Sequence, residues 1–467
     1  MNIKTTSISA AVRRAYCSAG ASRKRSLQAG LIVAALSMSS ASQALDFGPD
    51  GMFSLTGFAQ LTVGQHENRC VECQWVASTE GKDKIWADPL LPGQSYKTVS
   101  TVNYQIQPYL GVKYDLGRGY KVSALVSQRW RDGIVDNAHV TDDRLGSRVD
   151  VPGFWYEKNI ALSHEDYGSL RIGHMTTRSW SVADYPYGTN LGLAENWGSS
   201  GAGYGMLTKA VRYTSRVLDV AEGDLVLEAT YDRGNTEFKI HKPRFVELYG
   251  QFHRGGLVMD AMFQNSHNGG PGAWGHNPFM GLTPFPQDDA NPNLKDASQG
   301  IAMLMARYQV DSQLELSGGL RRNWWSGASA VQNPTTLYWN NMFNVDWNAT
   351  LNGVQNPGYP ASSYDVLLGA RYRVGKWVPS VGLVHLGTAR TDNPSDRGQG
   401  NSALFSVLGL QYDLGNGLKY DIQAGQVRYA RLGLSPMSMP GNASFSDVDS
   451  RITQRGNWLI LGMVYGF

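Results

Sequence analysis

The sequence predicts an all-β fold, a transmembrane antiparallel β-barrel of about sixteen strands. Three observations carry that expectation. The first is the stretch 457–467. Counting back by twos, Phe467, Tyr465, Met463, Leu461 and Leu459 are all apolar or aromatic. A period of two places them on one face of a strand. About ten residues is the length a tilted strand needs to cross a bilayer. The second is the stretch 102–114. Val102, Tyr104, Ile106, Pro108, Leu110, Val112 and Tyr114 alternate with Asn103, Gln105, Gln107, Tyr109 and Lys113. A soluble sandwich would need a second sheet over the apolar face; in a closed barrel, lipid covers it. The third is rhythm. Tight turns are expected at 115–119, 164–168, 217–223, 254–256, 311–312, 375–377 and 415–417. Long connections are expected at 131–153, 232–244, 266–298, 326–362, 388–401 and 430–456. Loops that long are uncommon in a compact soluble domain. Short turns on one rim and long loops on the other are what transmembrane barrels show.

Taken in order, the first strand is expected over 53–63. Phe53, Leu55, Gly57, Ala59, Leu61 and Val63 share a face; Ser54, Thr56, Gln60 and Thr62 make the other mostly polar, with Phe58 the exception. A polar segment then runs to about residue 98. The third strand covers 120–130, with Tyr120, Val122, Ala124 and Val126 on one face and Lys121, Ser123, Ser127 and Arg129 on the other. The fifth strand is short, 169–173. A segment rich in Gly, Tyr and Trp follows over 174–209, and 210–214 reads as the sixth strand. The last strand is less tidy. Opposite its apolar face stand Trp458, Ile460 and Val464, with Gly462 and Gly466, so its second face is not cleanly polar. An even strand count brings both ends of the sheet to the short-turn rim. No break in composition marks a second domain.

Composition agrees. Charged residues are 17% and glycines number 53 of 467, while mean hydropathy is negative. No run of about 18 apolar residues offers a transmembrane helix. The segment 1–44 reads as a signal peptide. Arg13, Arg14, Arg23, Lys24 and Arg25 precede an apolar stretch over 27–38, and Ser42-Gln43-Ala44 is a small-residue cleavage site, leaving a barrel domain over 45–467. Its removal, with Lys4, takes six of the 42 basic residues and no acid, leaving 36 against 39 acidic ones. The basic balance of the whole chain therefore implies no nucleic-acid partner. Cys70 and Cys73, spaced Cys-Val-Glu-Cys, are expected to form a disulfide in an exported protein; a second Cys pair, which a metal or redox site would want, is absent.

The terminal strand ending in Phe467 resembles those of bacterial outer-membrane barrels. The order Tyr167-Gly-Ser-Leu-Arg-Ile-Gly173, a long loop, then Val211-Arg-Tyr-Thr-Ser215 resembles the Gram-negative general porins. Their strand here commonly continues Gly-Arg, where this chain has His174. The resemblance implies a homotrimer in lipid and lipopolysaccharide. It also implies a third loop folded inward, its acids facing a ladder of wall bases. That makes Asp184 and Glu195 the loop candidates. Alternation puts Lys113, Lys121, Arg129, Arg171 and Arg212 on the non-lipid face, with Arg371, Arg373 and Arg321 on later strands. The same physics is required of a wide barrel, because something must fill it to make it selective. The expected function is passive diffusion of small hydrophilic solutes and ions, with no cofactor and no metal. The alternatives are a substrate-selective channel for sugars, organic acids or anions, and a barrel enzyme or adhesin. Trp324 and Trp325 fit an aromatic girdle better than a sugar track. Asp132, Asp136, Asp142, Asp143 and Asp150 read as solvated loop acids. No nucleophile elbow, zinc motif or phosphate loop occurs.

Overall fold

The computed structural model describes residues 45–70, 96–131, 134–135, 140–142, 147–149, 155–198, 203–234, 239–240, 242–270, 283–284, 296, 298–326, 350–351, 354–355, 360–388, 390–391, 402–430 and 453–467. Sixteen antiparallel strands form a sheet that closes on itself. They are β1 (Phe53–Cys70), β2 (Tyr96–Gly117), β3 (Tyr120–Ser127), β4 (Glu157–His164), β5 (Gly168–Thr176), β6 (Met206–Thr214), β7 (Gly223–Asp232) and β8 (Arg244–Arg254). The second half is β9 (Leu257–His267), β10 (Ser298–Gln309), β11 (Leu314–Ser326), β12 (Ala361–Tyr372), β13 (Trp377–Leu386), β14 (Ala403–Gly415), β15 (Leu418–Tyr429) and β16 (Thr453–Gly466). A short leading strand, Leu45–Phe47, pairs with the start of β1.

The alternation read from the sequence has a plain cause. Leu61, Val102, Leu162, Leu227, Leu320, Leu408 and Leu461 are all exposed on the outer face. A belt of that size marks contact with lipid or protein rather than water. The residues between them, such as Gln107, Glu228, Glu247, Gln264 and Asn323, are buried on the inner face. Trp324 follows the outer set, its ring 5.5 Å from that of Phe263, which suits the girdle expectation.

Turns and connections fall where expected, with two differences. β1 and β2 pair well beyond 63 and 102, from Phe53↔Val112 to Arg69↔Tyr96. Past the lipid belt water wets both faces, so a strand can continue without alternating. The fifth and sixth strands also reach further, so the long segment between them narrows to 177–205. Two of the tight turns are near-copies. Asp115-Leu-Gly-Arg-Gly119 and Asp413-Leu-Gly-Asn-Gly417 each place three successive residues at positive φ (Gly117 79°, Arg118 53°, Gly119 82°; Gly415 86°, Asn416 54°, Gly417 83°). In both, the Asp accepts the amide of the first Gly, at 2.7 Å and 3.0 Å. Between β10 and β11, Asp311 accepts the amides of Gln313 and Leu314 at 2.7 and 2.8 Å, and those bonds hold its carboxyl below the usual range.

Closure rests on β1 and β16, paired from Phe58↔Gly466 to Cys70↔Thr453. Beyond them Phe467 seals the seam: Gly57 N donates to Phe467 O at 2.7 Å and Phe467 N to Gly57 O at 3.0 Å. A Cβ at Gly57 would stand 2.5 Å from the Gln107 carbonyl oxygen and 2.7 Å from the Phe467 ring. The carbonyl cannot retreat without breaking the ladder. Gly57→Ala is expected to destabilise the barrel by about 1–3 kcal/mol, read as a lower urea midpoint in lipid or detergent. An unchanged midpoint would show that the seam tolerates the methyl group.

Candidate pore constriction

The segment between β5 and β6 is compact. It winds through short helical turns at Ser179–Gly188, Thr189–Leu191 and Ala194–Trp197. Gly192 ends the second of these at φ 71°, a conformation a side chain disfavours. Val182, Ala183, Tyr187, Leu191, Leu193 and Trp197 share one buried cluster with Met303, Met305, Leu367, Val384, Phe405, Val407 and Val427, among others. Those strand residues alternate with the exposed outer set. Gly369 and Gly382 leave the space that Leu191 and Leu193 occupy. Trp458 belongs to the same cluster, with Ile460 packed against it. On the untidy second face of β16, Trp458 and Ile460 are therefore apolar as part of this inner cluster, not because lipid covers them.

Three polar anchors hold the segment. At its start, the Arg178 guanidinium clasps Glu228, one bond at 2.6 Å, and its backbone N–H donates to Glu247 at 2.7 Å. Arg212 donates to the same Glu247 at 3.0 Å, to Thr230 at 2.7 Å and to the Thr176 carbonyl at 2.8 Å. In the middle, Tyr187 O–H donates to Asp260 at 2.7 Å, alongside Tyr249 at 2.6 Å. At the end, Arg321 bonds the Trp197 carbonyl and lies 4.8 Å from the Trp197 ring centre. Its other donors meet Asp365 at 2.9 Å. Asp365 also accepts Asn323 at 2.7 Å and the Gly387 amide at 2.9 Å. These ions are buried, so each needs its partner.

The expected site residues separate into groups. Arg129, Arg212 and Arg321 are buried and engaged. Arg129 donates to Gln107 at 2.7 Å, with its guanidinium 4.6 Å from the Tyr156 ring and 5.5 Å from that of Trp180. Lys113 and Lys121 sit beside the β2–β3 turn, in register with Ser123 and Asp115. Arg371 lies at the rim end of β12, 3.7 Å from Glu315. Arg171 is half-buried and in register with Arg212. Asp184 accepts Thr189 at 3.3 Å and Tyr204 at 3.2 Å, both within its own segment. The expected arrangement, loop acids against wall bases, is thus partly reversed. The wall supplies Glu228, Glu247, Asp260 and Asp365, and the segment supplies Arg178. Glu228, Glu247 and Asp365 each meet a guanidinium, and Asp260 meets two tyrosine hydroxyls. The alternation Glu228-x-Thr230-x-Asp232 and Glu247-x-Tyr249 carried a signal for these acids; nothing local marks Arg178. The Glu195 side chain, Cys73, the side chain of Cys70, those of the Asp132–Asp150 group and Trp325, and residues 1–44 lie outside the described residues.

Beyond β16, the inner faces of β1 and β2 present Thr56, Gln60, Gln105 and Tyr109. Gln105 donates to Gln60 at 2.6 Å. Phe58 interrupts this strip, with the Arg129 guanidinium 5.8 Å from its ring centre.

A sheet closed on itself with an aliphatic outer belt has the barrel fold that Gram-negative outer-membrane proteins share. Solved structures share the architecture. OmpT of Vibrio cholerae matches over 91% of this chain and 100% of its own, at 11% identity and a TM-score of 0.51. The outer membrane channel DcaP of Acinetobacter baumannii matches over 90% and 99%, at 11% identity and 0.50. Salmonella typhi OmpF, in complex with daunomycin, matches over 89% and 98%, at 14% identity and 0.50. At such identities the likeness is one of fold. No protein-family model and no curated protein sequence matches the chain.

Proposed function

We propose that this protein is an outer-membrane diffusion channel for small hydrophilic solutes and ions, assembled as a homotrimer. In this reading the segment 177–205 lies in the bore and sets its width. The observation that carries it is the asymmetry of the inner wall. One arc packs apolar side chains against the segment; β1 and β2 turn amide and hydroxyl groups inward. Solutes would pass along that polar strip. The buried ion pairs hold the segment in place without offering their charge to the path. A trimer is supported by fold likeness alone, one structure of Vibrio cholerae OmpT being a trimer form.

Planar-bilayer conductance of the purified protein tests the reading. Steady ohmic current is expected; a protein that inserts and passes no current is not a channel. Asp184, half-buried in the segment, allows a finer test. Asp184→Lys is expected to move the reversal potential in a salt gradient toward anion preference. If conductance and reversal potential both stay put, Asp184 does not border the path.

A further inference from the structure

The inner face carries a second group of charges toward the short-turn rim, adjoining the segment at Arg307, whose guanidinium lies 6.0 Å from the Tyr187 ring centre. The rim ends of β10, β11, β12, β14 and β15 build it. Glu315 stands between two guanidinium groups, 3.7 Å from Arg307 on one oxygen and 3.7 Å from Arg371 on the other. Asp413 lies 3.7 Å from Arg373 and is in register with Lys419. Lys419 is within electrostatic reach of Arg371, Arg373 and Asp413 together. Two carboxylates thus serve four cations. Asp421, further along the face of β15, accepts Gln423 at 3.2 Å and brings the acids to three. Further round the same rim, Lys113 and Lys121 stand with Asp115, one of whose oxygens accepts the Gly117 amide.

The contrast with the anchors is one of distance and balance. There each guanidinium is matched by a carboxylate at hydrogen-bond range, as at 2.6 Å for Arg178 and 2.9 Å for Arg321. At the rim the contacts relax to 3.7 Å and cations outnumber acids. At that separation charges attract without filling the donors of the guanidinium forks. Among the described residues the buried Arg307 Nε has no hydrogen-bond partner, while the same guanidinium also reaches Tyr187. Forked donors of this kind fit the paired oxygens of a carboxylate or phosphate. A basic ring at a pore mouth favours anions over cations, and a narrow low-dielectric mouth focuses that field.

We propose that this cluster is a binding site for small anions bearing carboxylate or phosphate oxygens, and that it makes the channel anion-preferring. The proposal rests on the channel reading and names its solute class. The test uses the full-length protein in planar bilayers under asymmetric potassium chloride. The parent is expected to favour chloride over potassium, and inorganic phosphate is expected to reduce its chloride current. In R371Q/K419Q the chloride preference should fall by about fivefold, less at high salt, and the phosphate effect should disappear. D413N keeps every cation and removes one acid, so its preference should rise; if the double variant fails to assemble, D413N decides. A cation-preferring parent overturns the proposal. So does a preference that neither R371Q/K419Q nor D413N moves. A parent with no conductance at all removes the channel reading itself, and the two failures are told apart by that measurement.

Discussion

Arg321→Ala is expected to loosen the segment 177–205 more than any other single anchor change. The side chain is fully buried. It meets Asp365 through two nitrogens, the Trp197 carbonyl through a third, and the Trp197 ring through its face. Truncation leaves the Asp365 carboxylate buried with Asn323 and the Gly387 amide for support among the described residues. Breaking a buried pair from one side costs about 3–5 kcal/mol. Two readouts should move together: the urea midpoint falls, and single-channel records become noisier with a higher mean conductance. Arg321→Lys should recover little, since an ammonium cannot span both partners. A quiet channel with an unchanged midpoint would show that the segment does not depend on this contact.

Trp197→Ala is the second large effect. The indole is 0% exposed and packs close over Gly319. Its N–H points at the Met305 sulfur, 3.3 Å away. Removing it opens a cavity inside the cluster, at a cost of about 3–5 kcal/mol. Conductance should rise, because the covered arc would then admit water. The two substitutions should not add. Arg321 and Trp197 touch directly, so the double variant should cost less than the sum. Strict additivity would argue that the two anchors act independently.

Much of the barrel was legible because lipid and water impose a period of two, and that period survives in a single sequence. The alternation over 102–114 and back from Phe467 gave faces that the structure keeps, and Gly-bearing turns marked one rim. The ends of β1 and β2 were hidden, since residues beyond the lipid belt need not alternate. The candidate site was legible only in part. Alternation identified Arg129, Arg212 and Arg321 as facing inward, yet could not say what they meet. Their partners, Gln107, Glu247 and Asp365, lie on other strands, and the pairing depends on register and on where the segment settles. The apolar residues of β16's second face looked like a defect of pattern. Trp458 and Ile460 belong to an inner cluster that also holds Leu193 and Trp197, more than two hundred and fifty residues away in the chain.

The seam between β1 and β16 has a consequence for how the molecule is made. Every other strand pairs with its neighbour in sequence, so fifteen hairpin-like contacts can zip up locally. One pairing alone joins opposite ends of the polypeptide, and loop-closure entropy and contact order make it the slow event. Until Gly57 and Phe467 exchange their hydrogen bonds, the nascent sheet is a ribbon with two sticky margins. Self-association, if it occurs during biogenesis, should begin there.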